Sequence, residues 1–296
     1  MTLRLFFVAF LLAVVVRPTE AADFSVSYAT EEAHLRMVGT IGAGDAESLV
    51  ALVLTLASKG GVEQVPRLLV VDSGGGSVLE AARIASVVEL LRLSTFVRGD
   101  EFVRGGSPGV CASACFLVWL AGNSRFAAGN YASTGDKLLE QIHAISKRTV
   151  GMVGIHRPYV DLKESSSASM LESQREQRLA MANLQTYLQS KNVPSGLVDK
   201  MMASSSKNIH WLTPEEIDQL AMSPEYEELL AANCGFRNFR ISAESTNDEI
   251  RLYLDAHTTV AEKQLRECSR ALVSRLRNRE LPPLFSRMRA GWRPWQ

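Results

Sequence analysis

Three short stretches carry residues whose types and spacing could perform acyl-transfer chemistry: Asp72-Ser-Gly-Gly-Gly-Ser77, Cys111-Ala-Ser-Ala-Cys115 and Gly154-Ile-His-Arg-Pro158. A serine is a poor nucleophile until a base removes its proton and backbone N–H groups await the oxyanion. Ser113, between two alanines, offers the nucleophile, and His156, after an apolar run, offers the base. The glycine turn offers backbone that can approach a substrate closely and adopt positive φ. Hydrolysis is therefore the first chemistry to consider. Each part also has a plainer reading: a flexible turn, a small residue for helix packing, a hydrogen-bonded histidine at a strand end. Four other histidines are present (His34, His143, His210, His257), so the ordered set, and no single residue, carries the argument.

The surrounding sequence predicts the elements that must position these groups. Phe24 to Tyr28 alternates, and Ala33 to Ile41 is strand-like. Glu47 to Ser58 has apolar residues at helical spacing and stops at Gly60-Gly61. Arg67 to Asp72 contains Leu-Leu-Val-Val, which suits a buried strand ended by Gly74 to Gly76. Val78 to Leu91 reads as a helix, Thr95 to Arg98 as a short strand, and Cys111 to Ala121 as a buried helix with Ser113 at its N-terminus. Val150 to His156 is a second buried strand, and Ser165 to Gln189 an amphipathic helix after a Ser-rich loop. Pro194 to Met202 suggests a short helix, Ile209 to Leu212 a strand, and Thr213-Pro-Glu-Glu216 an N-cap with proline at the first helical position. Strand, glycine turn and helix recur, which favours an α/β fold with much of its sheet covered.

The chain has 296 residues, 46% of them hydrophobic, enough for a sizeable core. Its formal net charge of +0 gives no general pull toward nucleic acid. At the N-terminus Arg4 precedes about twelve apolar residues, Leu5 to Val16, and Thr19-Glu-Ala21 has small residues at the −3 and −1 positions of a cleavage site. That pattern predicts a signal peptide over 1–21, cut after Ala21, and a periplasmic or secreted mature protein. An uncleaved anchor is the alternative, although the run is shorter than a bilayer-spanning helix needs. Such a compartment permits disulfides, and four cysteines allow three complete pairings. Cys111 and Cys115 read equally as a local bridge or as small buried hydrophobes, and Cys234 and Cys268 could staple the C-terminal third. No His/Cys cluster has zinc-like spacing, and neither a metal nor a cofactor is expected. Composition shifts near residue 223. Pro224 to Ala232 and Asp248 to Arg277 read as helices, and from Arg266 onward there are eight Arg against two Glu, with Trp292 and Trp295 near the end. This basic extension could touch a membrane surface or a partner, or be a solvated helix face.

The segment from Leu68 to about Leu220 resembles the Clp protease proteolytic subunit and its crotonase-fold relatives. In that family a strand leads into a Ser-Pro-Gly-Gly turn and a helix; here Ser73-Gly-Gly-Gly76 stands in that place. The family's nucleophile opens a buried helix, as Ala112-Ser113-Ala114 would, and its histidine ends a later strand before a proline turn, as Ile155-His156-Arg157-Pro158 would. The resemblance implies a spiral of ββα units over 22–222 with a helical extension over 223–296. It implies Ser113 as nucleophile, His156 as general base, and Gly75 and Ala114 as oxyanion donors. The third triad member falls at Asn208, an amide where an acid is usual, with Asp161, Asp199 and Asp218 as substitutes. The spacing from Ser113 to His156 is longer than in the housekeeping protease, with extra residues around Thr134 to Thr149.

These expectations amount to an exported, ATP-independent serine peptidase acting on peptides or unfolded proteins, with self-association implied by the resemblance. A catalytically weak or inactive binding or assembly protein on the same fold is the alternative. Acyl-CoA chemistry is disfavoured by export. A Ser–Lys dyad using Lys137, Lys147 or Lys163 is disfavoured because none of the three sits in an apolar context that would lower a lysine pKa.

Overall fold

A computed structural model of the chain describes residues 21–28, 33–98, 109–127, 151–158, 178, 181–205, 208–236 and 259–294. Residues 1–20 of the expected signal peptide, the extra residues around Thr134 to Thr149, the Ser-rich start of the 165–189 segment, Asp161, all three dyad lysines and Trp295 lie outside the described residues.

The Leu-Leu-Val-Val run forms β3 (Leu68–Asp72), whose three middle residues are buried, as a strand covered on both faces must be. It lies at the centre of a five-stranded sheet of order β1-β2-β3-β4-β6, with β1 (Asp23–Ser27), β2 (His34–Val38), β4 (Ser94–Val97) and β6 (Arg125–Ala127). β1 is antiparallel to β2, and the other neighbours are parallel. A three-stranded sheet, β5-β7-β8, contains β5 (Val110–Ala112) parallel to β7 (Met152–Ile155), and β7 antiparallel to β8 (His210–Trp211). The two sheets meet where β3 ends. Ser73 bridges Cys111, with Ser73 N–H donating to the Val110 carbonyl at 2.6 Å and Ala112 N–H to the Ser73 carbonyl at 3.0 Å. The architecture is thus mixed α/β with two mixed sheets.

Helices cover these sheets for reasons visible in their ends and faces. α1 (Asp45–Gly60) starts after Gly44, which is left-handed at φ 92°, and buries Leu49, Val50, Val53 and Leu56 at helical spacing. α2 (Val78–Leu90) is capped by Ser77, whose Oγ accepts from Glu80 N–H at 3.2 Å, and buries Ala81, Ile84, Ala85, Val87 and Val88. α3 (Cys115–Leu120) is buried along its whole length, and its Trp119 indole N–H donates to the Phe126 carbonyl at 3.1 Å. Helical backbone over 181–190 forms α4. α5 (Ser195–Ala203) follows, and α6 (Pro214–Gln219) opens with a complete Thr213–Glu216 capping box. α7 (Pro224–Cys234) runs from the Ser223 cap to Gly235 at φ 67°. α8 (Thr259–Arg289) is the longest helix among the described residues.

Two sequence expectations change here. The apolar stretch from Cys111 to Ala121 is not one helix: Val110–Ala112 pairs as β5, Ser113 and Ala114 turn, and α3 starts at Cys115. A short apolar run cannot be divided by periodicity alone, and the partners β7 and Ser73 decide it. The last helix continues past Arg277 to Arg289, through Pro282 and Pro283. Both prolines lie on its exposed side, where water can take the carbonyls they leave unpaired, while Leu281, Leu284, Phe285 and Met288 are buried in the main core. That core therefore contains residues from both sides of position 222. A smaller apolar cluster of Tyr226, Leu230, Leu272, Val273 and Leu276, together with the Cys234–Cys268 disulfide, joins α7 to α8. Among the described residues no helix is long and apolar enough to cross a membrane.

Candidate active site

β5 and β7 run side by side, with Ala112 opposite Gly154. Ser113 leaves the end of β5 and His156 leaves the end of β7, so two residues 43 positions apart arrive at one edge. Gly154 is required for this: a Cβ there would lie 2.5 Å from Ile209 and 2.7 Å from the Trp211 ring.

Ser113 has φ 57°, in the left-handed region that an L-residue with a Cβ rarely enters. Its surroundings hold it there. Its N–H donates to the Gly154 carbonyl and its carbonyl accepts from Phe116 N–H, each at 3.0 Å. Cys111 and Cys115, both fully buried, close a disulfide across it, which selects the bridge over two buried thiols. Strain kept by such over-determination is typical of working positions, and the sharp strand–turn–helix path leaves Ser113 partly exposed between buried alanines.

His156 is 7% exposed, and its Nδ1 lies 2.9 Å from the Arg157 carbonyl. A carbonyl only accepts, so Nδ1 carries the proton and Nε2 the lone pair, the tautomer a general base needs. The Arg157 carbonyl thus holds the ring where an acid was sought. Asn208 does not: it is exposed, and its N–H closes a turn onto the Ser205 carbonyl at 3.0 Å. Asp199 is exposed on α5, and Asp218 lines a different cavity. A main-chain carbonyl is present at every position, so no residue type could have announced this role.

Ser113 and His156 line one cleft with Val78, Phe116, Leu184 and Met201. Its volume is about 20 Å³, roughly the space of one water molecule. The two side chains are not hydrogen-bonded to each other, a common state before substrate tightens a catalytic pair. A larger cavity of about 340 Å³, with Lys191, Asp218 and Glu227 on its wall, shares no residue with this cleft.

The glycine turn packs directly on the serine. Gly75 has φ 105°, and a Cβ on it would lie 2.6 Å from Ser113 Cβ and 3.1 Å from the Ala114 nitrogen. The expectation for its N–H changes, however: Gly75 N–H donates to Ser73 Oγ at 3.1 Å. The next glycine, Gly76, has φ 141° and is pressed against the Ile41 backbone, and its N–H has no acceptor among the described residues. The Ala114 N–H likewise precedes the first turn of α3 and meets no acceptor among them. Ser73, 2% exposed, is a member of the site whose role the Ser-Gly-Gly-Gly pattern did not reveal. Among the described residues no three His, Cys, Asp or Glu side chains converge as metal ligands would.

Compared with known proteins, the chain matches no family model, and none of the curated proteins matches it.

Proposed function

We propose that the protein is an exported serine hydrolase, of peptidase type, with a Clp/crotonase-like core. The observation that carries the reading is the strained Ser113 turn set beside His156 at the ends of two paired strands, with a glycine turn against it. In this mechanism His156 Nε2 takes the Ser113 hydroxyl proton as Oγ attacks a peptide carbonyl carbon. Negative charge on the former carbonyl oxygen is met by Ala114 N–H and by a glycine-turn N–H. Gly76, whose N–H meets no acceptor among the described residues, is the proposed second donor; Gly75 would serve only by releasing Ser73 Oγ. His156 returns the proton to the leaving amine, and water activated by the same nitrogen then hydrolyses the acyl-enzyme. Removing an oxyanion donor typically lowers rate by about 10²–10³, so the packing of this turn matters as much as the nucleophile.

The parallel strands β2, β3, β4 and β6 with a smaller second sheet are compatible with a spiral core. The two disulfides suit the oxidising compartment that the leader implies. Flexible peptides or unfolded proteins are the proposed substrates, without an ATP-driven feeder, and self-association remains part of the proposal. The second reading, a non-catalytic binding or assembly protein, is favoured by the unformed Ser113–His156 hydrogen bond.

Fluorophosphonate labelling of the mature protein separates the two. Labelling that is lost in both Ser113→Ala and His156→Ala is the expected result. A folded wild-type protein that takes no label would sink the hydrolase reading and favour the binding one.

A further inference from the structure

Asp45, the first residue of α1, is 1% exposed. Its Oδ2 accepts from Gly42 N–H at 2.7 Å and from Ala22 N–H at 3.1 Å. Among the described residues no Lys, Arg or His pairs with it. The neighbouring buried acid is treated differently: Glu80 is 2% exposed and has Arg83 at 3.1 Å. A carboxylate buried without a cation is strongly unfavourable, and two amide donors compensate only in part. An amino group at the Ala22 nitrogen would place a cation where the amide N–H now donates to Asp45, at the cost of the Ala21–Thr40 bridge. In the full chain Ala22 is 7% exposed and its N–H points at Asp45 Oδ2.

We infer that Asp45 is a docking site for the α-ammonium of Ala22, generated when the Ala21–Ala22 bond is cut during export. The inference rests on the export reading, and deepens it. Water hydrolyses the peptide bond, catalysed by an endopeptidase of the export machinery, leaving a carboxylate on Ala21 and an amine on Ala22. That amine takes up a proton at neutral pH. The neutral amide hydrogen bond to Asp45 then becomes a buried ion pair.

The pair reaches the candidate site through the backbone. Gly42, which also donates to Asp45, follows Ile41, and Ile41 clamps the glycine turn: Ile41 N–H donates to the Gly75 carbonyl at 2.8 Å, and Ser77 N–H to the Ile41 carbonyl at 2.9 Å. The uncut chain already has these hydrogen bonds; processing adds the ion pair at Asp45 and so stiffens the loop that holds the glycine turn.

The test starts with the full chain, exported by its own leader, whose mature mass should correspond to a start at Ala22. The Ala22 form is then compared with a form retaining Ala21, each with Asp45 and with Asp45→Asn. The retained residue replaces the ammonium by an amide. The expected result is a melting temperature at least about 5 °C higher for the Ala22 form, with Asp45→Asn abolishing that advantage. A natural start elsewhere, or an Asp45→Asn effect equal in both forms, overturns the inference. Should Asp45→Asn fail to fold, limiting acylation of the wild-type α-amine decides. At least roughly tenfold protection in the folded relative to the urea-unfolded mature protein supports the pair, and equal rates overturn it. Ser113 labelling is scored separately, so its absence from every form would defeat the hydrolase reading while leaving the ion-pair result standing.

Discussion

A methyl group added to Gly75 would sit 2.6 Å from Ser113 Cβ and 2.7 Å from the Ala112 carbonyl oxygen, at a residue whose φ is already 105°. Neither neighbour is the loose end of a long side chain, so the turn or the serine must move. Gly75→Ala should therefore destabilise the fold by about 2–4 kcal/mol and remove Ser113 labelling even below the melting temperature. Gly74 is the control, because a Cβ there meets nothing within 4 Å. Gly74→Ala should label at close to the wild-type rate and melt within a few degrees of it. Equal behaviour of the two variants would mean that the turn does not support the serine. The sequence shows three glycines in a row with nothing to rank them. The ranking comes from which one faces β5, and that depends on a sheet contact between residues nearly forty positions apart. That Ser113 and His156 arrive at one edge is the part the sequence order suggests, Ser113 lying between alanines at the head of an apolar stretch and His156 ending an apolar run before a proline turn. The Arg157 carbonyl was not legible, because a backbone partner carries no residue code; the Ser73 hydroxyl on Gly75 N–H is a side-chain contact two residues along, a turn that serine permits and the sequence does not require.

At the scale of elements, local chemistry was most readable where caps and breakers are explicit. Thr213-Pro-Glu-Glu216 announces a helix start, and α6 begins there with its capping box closed. The same Glu216 also joins neighbouring elements, accepting from Lys200 of α5 at 2.6 Å and lying 3.1 Å from His210 Nε2 on β8. Burial pushes the Glu216 carboxyl up, but the hydrogen bonds from Lys200, the Thr213 N–H and His210 together outweigh it and hold it below the usual carboxylate value. A carboxyl whose pKa is depressed on folding contributes stability in full above its unfolded pKa, about 4.5, and loses it as pH falls through the lower folded value. Glu216→Gln should accordingly be less stable than wild type by about 1–2 kcal/mol at pH 7, with the gap narrowing steadily below pH 4.5. Urea unfolding at pH 7 and pH 3 checks this, and a gap that widens in acid would contradict it. Elements without such punctuation were harder to read. The run from Val110 to Leu120 divides into β5, a turn and α3 because β7 offers Val110–Ala112 a parallel partner.

For the whole molecule, the instructive element is α8, whose seven arginines past residue 265 suggest a solvated or membrane-facing surface when read in line. Folded, the charges divide. Arg277 is 2% exposed and donates from Nη2 to the Val65 carbonyl at 2.6 Å and from Nη1 to the Pro66 carbonyl at 3.2 Å. Arg92 and Glu280 make an ion pair at 2.8 Å nearby, and the apolar side of the helix enters the main core. The arginine stem supplies packing and its fork caps two carbonyls after the 3₁₀ turn Gly61–Gln64, so this side of α8 is an internal contact. Charge counting could not separate such an arginine from an exposed one, since the distinction depends on where α1 and its following turn end. Arg277→Ala would leave both carbonyls buried and unpaired and should destabilise by about 2–4 kcal/mol. Arg275→Ala, two residues away and exposed, removes the same formal charge and should change stability by less than about 0.5 kcal/mol. Guanidinium unfolding of the two variants measures the difference directly. Similar small effects would return α8 to the status of a loosely held extension, whereas the expected contrast makes it part of the frame on which β3 and the glycine turn are held.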